Sequence, residues 1–160
     1  MNIDAAQFTK IVDTVYERFA PGYRDSGGGL TPAEAELVVA IAQLAVVADR
    51  VEDRDELALF DQLAGHVYAH ARIATTPPTL EPVEDDDQRL DQLRTHAAQL
   101  QGKAAGALAY SIAYILTISD MDLDPDEGEI LDVLREALGL DEEQADDLLP
   151  AVSELLAPEE

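Results

Sequence analysis

Ser119 to Leu131, SDMDLDPDEGEIL, places an acidic turn between two apolar helical patterns, and its reading decides the fold. Asp120, Asp122 and Asp124 alternate through the turn, and Asp126, Glu127 and Glu129 follow as helical spacing resumes. Asp124 has the offset of an N-cap, Pro125 that of a first helical residue, and Glu127 closes a capping box. Shifted back by seventy-one positions, the pattern falls on Ala48 to Phe60, ADRVEDRDELALF, where Asp49, Asp53, Asp55 and Glu56 meet Asp120, Asp124, Asp126 and Glu127. Apolar positions follow the same shift: Leu37, Ile41, Ala42 and Leu63 meet Leu108, Ile112, Ala113 and Leu134. The chain therefore reads as a diverged helix-turn-helix duplication, with halves at about 30–75 and 103–140 inside one domain spanning 1–160.

Helical periodicity extends outward from both turns. Asp4 and Gln7 cap a first helix whose stripe is Phe8, Ile11, Val12, Val15, Tyr16 and Phe19, ended by Pro21-Gly22. Thr31-Pro32-Ala33-Glu34 starts a second helix, apolar at Leu37, Val38, Ile41, Leu44, Ala45 and Ala48. A third follows the box Asp53 to Glu56, with Leu57, Phe60, Leu63, Ala64, Val67 and Ala71 facing inward, until TTPPTLEP at Thr75 to Pro82 breaks the pattern. From about Val83 to Gln101 a polar helix carries Leu90, Leu93, Ala97 and Leu100. Ala104 to Ser119 is small and apolar nearly all round, which suits the centre of a bundle. Beyond the second turn, Ile130, Leu131, Leu134 and Leu138 mark a sixth helix, with Gly139 as its left-handed C-terminal residue and Leu140 as the hydrophobic partner. Asp141 caps a seventh, apolar at Leu148, Leu149, Val152, Leu155 and Leu156 and expected to kink or break at Pro150. No strand-like alternation survives, so the expected fold is an all-α compact bundle of about seven helices.

Charge narrows the partners. Thirty-four acids face ten Lys plus Arg, a net charge of −24, and the 47% hydrophobic content is enough for an ordinary core. Phosphate backbones and anionic lipid are repelled by such a chain, which excludes nucleic acid and favours cations and basic protein surfaces. An acidic, lysine-poor surface also serves solubility in a salty cytoplasm, but solubility alone does not place acids at matching positions in two repeats. There is no cysteine, hence no disulfide, thiolate metal site or cysteine nucleophile. The N-terminus has no secretory pattern and no apolar run reaches a membrane span, so no membrane insertion and a cytoplasmic location are expected.

Several motifs are tested by their own requirements. Gly27-Gly28-Gly29 lacks the spacing and the Lys of a phosphate-binding loop. Asp120, Asp122 and Asp124 match the opening of an EF-hand loop, yet Pro125, Glu127 and Leu131 stand where that loop requires Gly, an apolar residue and Glu, leaving only a shorter calcium turn. His66 and His70 share a helix face at i, i+4, but Val67 occupies the Glu position of a HExxH motif, and ordinary partly exposed histidines are the plainer reading. Tyr110 and Tyr114 read as buried aromatics of the central helix, and no nucleophile context such as G-x-S-x-G occurs. The candidate metal ligands are Asp49, Asp53, Glu56, Asp120, Asp122, Asp124 and Glu127, with Ca2+ as the expected ion. For Asp53, Glu56, Asp124 and Glu127 helix capping is the plainer role. Asp120 and Asp122 have no capping duty, and their turn contains no base of its own, so a cation or a basic partner would relieve the repulsion there.

The apolar helix ending A-Y-I-x-x-x-S-D at Ala113 to Asp120, with D-P-D-E-x-E-I-L-D-V-L-R-E-A-L-G-L-D from Asp124 to Asp141, resembles the TerB-like family, named for tellurite-resistance protein B. The resemblance covers about Leu30 to Leu149. Its signature is an alanine-rich helix ending Ala-Asp-Gly, a capped turn, and Glu seven residues after the Asp. Asp49 with Glu56 and Asp120 with Glu127 keep that spacing, while Arg50 and Met121 stand in place of the Gly. The resemblance implies an all-α fold with related halves and no enzymatic activity. It also implies a role in bacterial stress response, metal resistance or defence, with an acidic face for divalent cations or partner proteins. A similar domain occurs in a membrane-anchored DnaJ-type co-chaperone. The functional expectation is a non-enzymatic acidic binding module, cation-dependent or, as the alternative, a metal-independent interaction or co-chaperone-type domain.

Overall fold

A computed structural model describes residues 5–19, 31–47, 54–73, 86–101, 104–118 and 125–156, and among these the regular structure is entirely α-helical. The helices are α1 (Ala5–Phe19), α2 (Pro32–Val47), α3 (Arg54–His70), α4 (Asp86–Gln99), α5 (Ala104–Ile118), α6 (Pro125–Leu138) and α7 (Glu142–Leu156). The expected all-α bundle is borne out, with seven helices among the described residues.

Helix boundaries follow from short-range chemistry. At the start of α2 the Thr31 hydroxyl accepts from the Glu34 N–H at 3.2 Å, and the Glu34 carboxylate accepts from the Thr31 N–H at 3.2 Å and from its hydroxyl at 2.9 Å. Two N–H groups that the helix leaves without intrahelical partners are thereby satisfied. Before α7, Asp141 accepts from the Gln144 N–H at 2.7 Å and the Gln144 side chain accepts from the Asp141 N–H at 3.0 Å, a second reciprocal box. Helix α6 ends as expected. Gly139 adopts φ +74°, its N–H bonds the Glu136 carbonyl, and the Leu140 N–H reaches back to Arg135. Helix α3 ends by the same hydrogen-bond pattern, Arg72 to Ala69 and Ile73 to Tyr68, but with Arg72 holding the left-handed position at φ 61°. That terminus lies ahead of the proline-rich segment taken from sequence as the break.

Of the kink or break expected at Pro150, the break does not occur; α7 continues through it to Leu156. Proline removes the bond to the carbonyl four residues back, here Asp146. Both residues are exposed, so water can take the place of the lost donor.

The core gathers around α5, which packs against α1, α2, α3, α6 and α7, its broadest contact being with α2. Ala105, Ala107, Leu108, Ala109, Ile112, Ala113 and Ile115 are all buried on α5, as the all-round apolar pattern requires. Ser111, fully buried among them, donates its hydroxyl proton to the Ala107 carbonyl at 2.9 Å and so leaves no unsatisfied donor. Three of the four apolar pairs matched by the seventy-one shift share burial, Ile41 with Ile112, Ala42 with Ala113 and Leu63 with Leu134, whereas Leu37 is half-buried and Leu108 fully buried. The packing matches too. Helix α2 packs on α3 as α5 does on α6, α1 on α3 as α4 on α6, and, across the halves, α1 on α5 as α4 on α2. Exchange of α1–α3 with α4–α6 thus preserves the helix pairings, while α7 lies outside this relation and covers α1 and α5.

Candidate functional site

The two acidic stretches fall between α2 and α3 and between α5 and α6 in the chain. The described residues of α2 run to Val47 and those of α5 to Ile118, and those of α3 and α6 start at Arg54 and Pro125. Glu56 and Glu127 are each the third residue of their helices, the position a capping box requires. For these two the structure describes the backbone alone. Asp49, Asp53, Asp120, Asp122 and Asp124 lie outside the described residues. Among the described residues no group of three or more His, Asp or Glu side chains converges as a metal cage.

Two other capping boxes of the chain are described in full. The Thr31–Glu34 and Asp141–Gln144 boxes are fully formed hydrogen-bonded caps, each at the offset predicted for Asp53–Glu56 and Asp124–Glu127. In each formed box the N-cap side chain accepts a backbone N–H and the fourth residue returns the contact. A carboxylate so engaged retains lone pairs for a cation, but its orientation is set by the helix.

His66 and His70 do share one face of α3, and the face is occupied. The buried Phe8 ring of α1 stacks on His66 with centroids 5.5 Å apart and planes at 24°, and meets His70 edge-on at 6.2 Å and 79°. Both imidazoles are half-buried, so their main structural contribution is to seat α1 on α3.

A polar cluster that sequence reading missed lies where α5 meets α6 and α7. Tyr110 is buried on α5, and burial pushes its phenol above the ordinary tyrosine value. The Arg135 guanidinium opposes that rise, and Asp132 and Asp146 add to it. Arg135 also donates through Nη1 to the Leu140 carbonyl at 3.1 Å, tying the end of α6 to the segment that leads into α7. The sequence signal available was Arg135 in the last turn of α6, where a cation complements the helix dipole; its approach to Tyr110 depends on packing. Tyr114 is half-buried, less enclosed than its sequence pattern suggests. Tyr68 of α3 is likewise raised by burial, with the Glu36 carboxylate adding to the effect.

No helix among the described residues is long and apolar enough to cross a membrane. Searches for similar proteins found no matching family model, curated protein or solved structure.

Proposed function

We propose that this chain is a non-enzymatic acidic binding module of a bacterial stress-response or metal-resistance system. In this reading its two acidic turns hold a divalent cation, calcium foremost, and present it to a partner protein with a basic surface. One observation carries the reading. Asp49, Asp53 and Glu56 repeat in Asp120, Asp124 and Glu127 at the seventy-one-residue shift, in a fold whose helix pairings within α1–α3 repeat within α4–α6. Calcium takes 6–8 hard oxygens, and aspartates at alternate positions of a short segment offer several. A net charge of −24 raises the local concentration of cations and of basic partners. The TerB-like resemblance supports the same class of function.

The formed caps at Thr31 and Asp141 favour a second reading, a metal-independent interaction or co-chaperone-type domain. If Asp53, Glu56, Asp124 and Glu127 are used in the same way, Asp49, Asp120 and Asp122 remain as ligands, short of a full calcium shell unless water completes it. Thermal melts separate the two. A cation bound to the folded state raises the melting temperature by linkage, about RT ln(1 + [L]/Kd) in free energy. Sodium chloride at matched ionic strength is the control for screening. Calcium should stabilise beyond that control, and the D120N/D122N double substitution should abolish the excess while keeping the salt response. Equal shifts from calcium and sodium in the unmodified chain leave the metal-independent reading.

A further inference from the structure

We draw no further inference here: the strongest candidate, the His66–His70 pair on α3 that brackets the Phe8 ring of α1, has two imidazoles with no three-membered ligating cluster among the described residues, and nothing in the structure shows what would bind there.

Discussion

Gly106 of α5 lies against the Leu100 carbonyl at the end of α4, so close that a Cβ on the glycine would stand 2.7 Å from that oxygen and 3.0 Å from Cδ2 of Leu138. The oxygen belongs to the backbone and cannot swing aside as a side chain would. Gly106→Ala should therefore destabilise the fold, by about 1–3 kcal/mol as overpacking does. Gly65 of α3 provides the contrast, since nothing lies within 4 Å of its added Cβ. Gly65→Ala should stabilise by about 0.4–1 kcal/mol through the unfolded state and helix propensity. Denaturant midpoints for the two variants should move in opposite directions, and parallel shifts would refute the close approach of Gly106 to the Leu100 carbonyl.

The two left-handed helix ends predict a second asymmetry. Arg72 sustains φ 61° with a side chain, which costs roughly 1–2 kcal/mol, whereas Gly139 adopts φ +74° without that penalty. Arg72→Gly should leave stability unchanged or raise it by up to about 1 kcal/mol, the strain relieved being offset by glycine's greater entropy when unfolded. Gly139→Ala should lower it by about 1 kcal/mol. Melting temperatures compared at one pH give the answer.

Caps and ligands separate by mutation. Thr31→Ala removes a formed box and should cost about 0.5–2 kcal/mol, and Asp124→Ala should cost a similar amount if it caps α6. Asp122→Ala should be neutral in chelator and should weaken calcium stabilisation. Equal destabilisation by Asp122→Ala and Asp124→Ala in chelator would make Asp122 structural.

Alkaline pH supplies a test of the α5–α6–α7 contact. Tyr110 has a raised pKa because burial disfavours the phenolate, so the folded state holds its proton more tightly than the unfolded state does. Its contribution is complete below the ordinary value of 10.0 and declines as pH rises from there through the raised folded value. Tyr110→Phe should flatten the alkaline loss of stability. Arg135→Met removes the charge that partly offsets burial, so it should push the Tyr110 titration, followed by phenolate absorbance, to still higher pH.

Much of the local structure was legible in sequence. Thr31–Pro32–Glu34 started α2 where expected, Gly139 and Leu140 ended α6, and the buried positions of α1 and α5 followed their periodicity. Pro150 misled because its local cost can be absorbed on an exposed helix face. Arg72 was missed as a helix terminus because a left-handed arginine leaves no composition signal. The acidic turns were found by their spacing, and the side chains proposed as ligands lie outside the described part of the structure.

By itself the sequence determined the all-helical class, the starts of α2 and α7, the end of α6 and the faces that α1 and α5 bury. Those features arise from hydrogen bonds and side-chain spacings within a few residues of one another, so a short window contains their cause. Only the tertiary structure decided that α1 packs on α5 and α4 on α2 across the two halves, that Phe8 is seated by His66 and His70, and that the Arg135 charge opposes the rise in the Tyr110 pKa. Apolar stripes state that a face must be covered without naming its cover, because the hydrophobic effect is non-directional. The choice of neighbour comes from shape, and at Gly106 from the absence of a single carbon atom.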